Sequence, residues 1–294
     1  MSFVPFSLFQ GDLVNRLFGR LRIGARHPRD LLLRSLLLIA ITWLPMALMA
    51  PGQGLVSFEI SGRNFFADFA AYAQFLIGLP LFVVAEAVIS RNTRDAAHQF
   101  LTTDIVRPAD QPGMIAVHAR VERWRRSFWS DAVCLVIAFV LTWAIYHTEL
   151  SFPADKLTWH TTYTEQGRVL TRAGLWEFVV ALPIQMYWWL RIVWKIALWY
   201  YYLRQVARQR LDLRPSHPDN TGGIGFVPGI VVKLVALALI WAYLHHFTAG
   251  VRHLWMDMSH TATNKQFGNT SARATLWISL VLTFVLALKL FGVY

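Results

Sequence analysis

At 294 residues the chain is 55% hydrophobic and 15% charged, with a mean hydropathy of +0.40, where soluble domains run about 25% charged. Those figures exclude a soluble enzyme, a disordered tail and a disulfide scaffold. Lys and Arg number 28 against 17 Asp and Glu, a formal charge of +11; the bases lie between long apolar runs, which points to a bilayer and away from nucleic acid.

The first thirty residues carry five Arg and no short apolar core followed by small residues, so they do not read as a cleavable signal. Leu13, Val14, Leu17, Phe18 and Leu21 recur at helical spacing, with Arg16 and Arg20 on the other side. That pattern predicts an amphipathic helix in the membrane interface. Six segments then approach the roughly 20 apolar residues needed to cross a bilayer: 33–51, 69–90, 128–147, 174–203, 229–250 and 274–293. The fold expected is all-α, an integral membrane helical bundle of about six transmembrane helices (five to six). Arg191 and Lys195 interrupt the fourth segment among Trp and Tyr, where both could snorkel to an interface. Glu86 lies about one turn from the end of its span and is expected to reach water, and Asp131 is similarly close to an end.

Basic residues give the orientation. The segment before the first span, the connection 91–127 and the stretch 204–225 hold seventeen, against seven in the intervening connections. The positive-inside rule then puts the N-terminus in the cytoplasm of a bacterial inner membrane. Arg120, Arg123, Arg125 and Arg126 read as a cluster against anionic headgroups of the lipid bilayer. Cys134 lies in an apolar run and says little about redox compartment.

Residues 213–226 include His217-Pro-Asp219 followed by Gly222, Gly223 and Gly225. Without the Lys and Ser/Thr of a phosphate loop, this reads as a flexible connection, with His217 and Asp219 a weak two-ligand metal candidate. This stretch resembles a loop in an uncharacterised multi-pass bacterial membrane protein family. It divides the chain into a multi-pass region of unknown function, 1–227, with four apolar segments, and a two-helix module, 228–294.

Residues 240–257 carry the readable chemistry. On a helix, His246, Gly250 and His253 fall at i, i+4 and i+7, on one face. An imidazole inside an apolar span needs a partner. A haem iron is one, and a hydrogen bond to another helix is another. Gly250 would let a flat macrocycle approach the backbone, and Arg252 could pair with a propionate. His147, at the end of the third span, is an alternative second ligand within the chain.

The pattern His246-x-x-x-Gly250-x-Arg252-His253-x-x-x-Asp257 resembles the cytochrome b subunit of succinate dehydrogenase, and the likeness continues through Ser271-Ala-Arg to the final Leu-Lys-Leu-Phe-Gly-Val-Tyr. The resemblance covers about residues 229–294. It implies a haem b site drawn from His246, Gly250, Arg252, His253 and Asp257, with His246 an axial ligand of the haem iron and the other ligand from a partner. The implied partners are a second membrane anchor subunit and the flavoprotein and iron–sulfur subunits of a complex II assembly, which passes electrons from succinate, a tricarboxylic acid cycle intermediate, to ubiquinone. The chain holds no flavin or iron–sulfur motif, so it would be an electron-transfer subunit and not the dehydrogenase. The family's Ser-x-x-His-Arg-x-[ST]-Gly element is absent ahead of residue 229. The family's haem-bearing helix runs from outside to inside, whereas six spans from a cytoplasmic N-terminus would run it the other way. Failure of the fourth segment to cross would reconcile the two. The alternative function is a multi-pass membrane protein whose vestigial or fused cytochrome-like end binds no haem. A transporter is unsupported, since no inverted repeat is apparent.

Overall fold

The computed structural model describes residues 12–24, 27–56, 63–103, 105–107, 109–150, 158–165, 167–227, 229–259 and 265–290. It forms two compact units, Met1–Leu213 and Arg214–Tyr294. Both are helical, as the apolar runs predict, apart from one short hairpin.

The first unit opens with α1 (Leu13–Arg20), capped by Asp12, whose side chain accepts from the Asn15 amide. An oxygen there satisfies one of the donors that a helix start leaves free. α2 (Pro28–Gly52) starts on Pro28, where the missing N–H costs nothing. α3 (Phe69–Ala71) runs through a π-helical stretch, Tyr72–Gly78, into α4 (Leu79–Thr102). α5 (Gln111–Arg126) leads directly to α6 (Phe128–Leu150). A hairpin of β1 (Thr161–Thr164) and β2 (Gly167–Leu170) follows, antiparallel with Thr161 opposite Leu170, and it turns on Gly167 at φ 111°. α7 (Arg172–Trp176) and a second π-helical stretch, Glu177–Ala181, continue into α8 (Leu182–Val206).

Two sets of contacts mark the ends of this unit. At one, the Arg172 amide donates to Gln53 Oε1 at 2.6 Å and Trp159 Nε1 to Asp68 Oδ2 at 2.7 Å. Trp159 is buried edge-on against Phe65. Gly174 belongs to the same end, because a Cβ there would collide with the His160 carbonyl. At the other end, Val106 bridges Leu211 and Arg120 donates to the Tyr201 hydroxyl at 3.1 Å. α8 therefore runs from one end to the other, as α4 does. The first end holds Arg63, Arg168 and Arg172; the second gathers Arg91, Arg94, Arg107, Arg120, Arg123, Arg126, Arg204, Arg208 and Arg210.

Among the described residues, four helical stretches are long and apolar enough to cross a membrane: Pro28–Gly52, Phe69–Thr102, Phe128–Thr148 and Phe267–Leu290. α8, at 25 residues, is as long as Pro28–Gly52 and is set apart by its composition, not its reach. Its exposed residues include Trp189, Val193, Ile196 and Tyr200, while Arg191 and Lys195 point inward. Apolar outside and polar inside is the arrangement a bilayer favours. α6 likewise exposes Val136, Phe139, Val140 and Trp143.

The second unit holds a loop, then α9 (Gly229–Met258) and α10 (Lys265–Leu290), packed on each other. The pairs Arg252–Ser271 and His245–Ser279 show that the two helices are antiparallel. Thr275, Ser279 and Thr283 are buried along α10, and small residues at such spacing let helices approach closely. The side chains of 229–235, including Lys233, lie outside the described residues.

Candidate functional site

At 100° per residue, His246, Gly250, His253 and Asp257 fall on one strip of α9, and all four are exposed. Among the described residues, the side chains of His246, His253 and Asp257 form no hydrogen bond or ion pair. A Cβ at Gly250 would meet nothing within 4 Å, so backbone is bare one turn from the imidazole. The neighbouring histidine has a different role. His245 turns to α10, its Nδ1 lies 3.3 Å from Ser279 Oγ, and its ring stacks on Trp241.

Arg252 sits on the α10 side. Its Nε donates to Ser271 Oγ at 2.9 Å and its Nη2 to the Gly268 carbonyl at 3.1 Å. The structure thus brings together His246, Gly250, His253 and Asp257, and places Arg252 in the seam that holds the helix pair. His147, in the first unit, lies against the Trp143 ring at 4.3 Å.

The loop ahead of α9 is ordered by Asp219. Its carboxylate accepts from the amides of Thr221, Gly223 and Gly225 at 2.9, 3.0 and 2.8 Å. Desolvation raises its pKa, but these backbone donors outweigh it and hold the carboxyl well below its ordinary value. A Cβ on Gly225 would press against Thr221 and Asp219. Asp219 is thereby engaged as a turn organiser, with His217 Nδ1 2.9 Å from its Oδ1. Among the described residues, no group of three or more His, Cys, Asp or Glu could hold a metal ion.

A second constellation was not anticipated. Arg191 of α8 donates through Nη1 and Nη2 to Glu86 of α4, at 2.6 and 2.7 Å, and through Nε and Nη2 to Asp12 Oδ2 at 3.2 and 2.7 Å. Lys195 Nζ reaches the same Asp12 oxygen at 2.6 Å. Asn15 joins the group, donating to Glu86 and accepting from Arg34. Asp131 of α6 accepts from the Leu13 amide at 2.9 Å and the Tyr187 hydroxyl at 3.1 Å. Asp12, Glu86, Arg191 and Lys195 are 1–3% exposed.

Two expectations are corrected by this cluster. Arg191 and Lys195 do not snorkel, because two carboxylates meet them inside the bundle. Glu86 does not reach water. The start of α1 is a polar plug that touches α2, α4, α6 and α8, which the amphipathic pattern did not foretell. Desolvation opposes ionisation of Asp12, and the Arg191 and Lys195 cations outweigh it, holding the carboxyl well below its usual range. A sequence signal existed. Arg191 and Lys195 share the i, i+4 stripe of Trp188 and Tyr202, and that stripe is the buried one.

Residues 186–286 match the family model of the succinate dehydrogenase/fumarate reductase transmembrane subunit. No curated protein and no solved structure matches the chain. The match covers about a third of the 294 residues. It begins inside α8, well ahead of residue 229, and takes in α9 and most of α10. In that segment, the chain is similar to the membrane subunits of succinate dehydrogenase and fumarate reductase.

Proposed function

We propose that the chain is a haem-b-binding membrane anchor subunit of a succinate dehydrogenase-like, complex II assembly, carrying electrons toward quinone. The observation that carries this reading is the exposed strip of His246, Gly250, His253 and Asp257 within the matched segment. An imidazole with no side-chain hydrogen bond or ion pair among the described residues, on an apolar helix, is suited to a partner from outside the chain. His246 supplies one axial ligand and a second membrane anchor subunit supplies the other. Gly250 lets the flat group lie close to the backbone, and His253 and Asp257 extend the polar edge. Arg252 keeps α9 and α10 in register and borders that edge. A bound haem would supply one-electron transfer, with its potential set by axial ligation and burial. Flavoprotein and iron–sulfur subunits would dock on the anchor, ubiquinone would accept the electrons, and the assembly would serve the tricarboxylic acid cycle. The basic end of the first unit is the cytoplasmic side of a bacterial inner membrane under the positive-inside rule.

The test is a reduced-minus-oxidised visible spectrum of the purified chain, alone and with a partner anchor. A b-type band lost in His246→Ala supports the assignment; no band in either preparation, or one unchanged in His246→Ala, sinks it. One observation favours the second reading, a multi-pass protein whose cytochrome-like end binds no haem. The matched segment starts in α8, whose Arg191 and Lys195 are committed to Asp12 and Glu86 and which contains no Ser or His to form a Ser-x-x-His-Arg element.

A further inference from the structure

The first unit repeats itself. α1 to α4 and α5 to α8 follow one plan in the same direction: an amphipathic helix, a long apolar helix, a connection at the Arg172 end, a short helix, a π-helical stretch and a long helix back. The sequence keeps a trace of it. Gln74-Phe-Leu-Ile-Gly-Leu-Pro80 is matched position for position by Glu177-Phe-Val-Val-Ala-Leu-Pro183, and Thr42-Trp43 of α2 by Thr142-Trp143 of α6. The structure treats the pairs alike. Thr42 and Thr142 are buried and donate to the carbonyls one turn back, Leu38 and Ala138, at 2.8 and 2.9 Å. Phe75 and Phe178 are buried, as are Leu79 and Leu182. Parallel repeats of this kind are a recurring build of membrane bundles.

Both long helices are opened at the same step. The Leu79 amide donates to the Gln74 carbonyl and the Leu182 amide to the Glu177 carbonyl, five residues back in each case, where an α-helix bonds four back. Pro80 or Pro183 comes next and has no N–H with which to resume the ladder. Bending concentrates at such steps. Toward the Arg-rich end, α4 and α8 are fastened to each other by Glu86 and Arg191. Toward the Arg172 end, Trp159 fastens the two helix caps: its Nε1 donates to Asp68 Oδ2 at 2.7 Å, and its carbonyl accepts from Thr171 Oγ1 at 2.9 Å. Two bodies, each joined across the repeats, therefore meet at a pair of equivalent soft steps.

α2 passes both bodies and has its own break. Pro45 leaves the Ile41 carbonyl without its helical donor, and Trp176 Nε1 takes that carbonyl at 2.9 Å. Ile41 lies on the Arg-rich side of Pro45, whereas Trp176 lies just ahead of the second π stretch, so the bond spans the boundary between the bodies. Ring contacts also cross it, Trp43 on Phe65 and Tyr72 and Tyr146 on Phe178, and apolar faces of this kind can slide. Among the described residues, the buried Trp43 Nε1 has no hydrogen-bond partner, a cost that a shifted arrangement could relieve.

We propose that α3, the hairpin and α7 swing as one cap against the paired parts of α4 and α8, on matched hinges at Leu79-Pro80 and Leu182-Pro183, with the Trp176–Ile41 hydrogen bond as the latch. Hinges of this kind are a few positions that absorb the backbone change while the bodies on either side stay intact.

Hydrogen exchange of the full-length chain in detergent, read by mass spectrometry on peptides covering Tyr72–Gly78 and Glu177–Ala181, tests this. In wild type, the two stretches exchange at matching rates once corrected for their intrinsic rates, and faster than α4 beyond Glu86 and α8 beyond Arg191. Trp176→Phe keeps a ring and removes the donor. It speeds exchange on the order of fivefold, the loss of one hydrogen bond, in both stretches, although Trp176 belongs to one repeat. Pro183→Ala returns an N–H to the ladder and slows both. The proposal is overturned if the wild-type stretches exchange at corrected rates on the order of tenfold apart, or if either variant leaves Tyr72–Gly78 unaffected. The wild-type comparison decides by itself should a variant fail to fold.

Discussion

Arg191 and Glu86 lie 105 residues apart and meet with both guanidinium Nη atoms on both carboxylate oxygens, at 2.6 and 2.7 Å. The pair joins α8 to α4 in the interior of the first unit, and the Arg191 guanidinium also lies 4.9 Å over the Trp188 ring. It explains how a helix with two cations among its apolar residues can pack at the centre of a bundle. The cations are inside, where carboxylates and an aromatic face receive them, and the apolar residues face outward.

Breaking that pair leaves an unpaired buried charge, which typically costs about 3–5 kcal/mol. Glu86→Gln and Arg191→Met are each expected to lose about that much in thermal or denaturant unfolding of the detergent-solubilised chain. Replacing both partners, as Glu86→Leu/Arg191→Met, is expected to cost less than the two single losses added together. A double variant as unstable as that sum would show that the two residues act independently.

Much of the fold was legible for a simple reason. α2, α4, α6 and α10 are set by local composition, and their apolar runs announce them. The strip of His246, Gly250 and His253 is also local, because helical spacing alone aligns it. The cluster was hidden because its members come from distant positions: Asp12 and Arg191 are 179 residues apart. Asp12 reads as an ordinary helix cap, and it is one, through its Oδ1; only the fold reveals the use of its Oδ2. The hairpin at 161–170 also went unread, though its β-branched and aromatic residues before a Gly are a strand signal.

His245 and His246 separate two roles on adjacent residues. His246→Ala is expected to abolish any b-type absorbance while leaving stability within about 0.5 kcal/mol of wild type, as for an exposed side chain. His245→Ala is expected to keep the absorbance and to lower stability by about 1 kcal/mol, since its contacts with Ser279 and Trp241 are lost. Spectra and melting curves of the two variants, recorded with a partner anchor present, check the contrast. The reverse pattern would move the site to the α10 side.

His160 gives a pH dependence with a definite sign. Burial, helped by Arg168, lowers its pKa to about 4, with Asp68 opposing. The unfolded chain binds this proton near pH 6.5, and the folded chain does not until about pH 4. The neutral ring's contribution is therefore complete above about 6.5 and is lost as pH falls from there to about 4. Wild type is expected to lose on the order of 2–3 kcal/mol relative to His160→Gln across that window. Melting both at pH 7.5 and pH 4.5 checks it; parallel curves would remove His160 as the cause.

The end-to-end path of α8 bears on the direction of α9. α2, α4, α6 and α8 alternate between the two ends of the first unit, and Val206 lies at the Arg-rich one with Val106, Leu211 and Arg120. If that end is cytoplasmic, residues 207–213 at the close of the first unit are cytoplasmic as well. The positive-inside count then predicts an α9–α10 connection on the outer face, opposite to the orientation that the cytochrome resemblance implies. Had α8 stopped partway, the resemblance and the charge count would have agreed. Its two cations, the one reason to expect it to stop, are neutralised inside the bundle and give no cause to turn back. Reporter fusions after Arg210 and after Ser259 are expected to read cytoplasmic and periplasmic respectively. A cytoplasmic reading at both positions would mean that α9 does not cross from the side where α8 ends, and the resemblance would then prevail over the charge count.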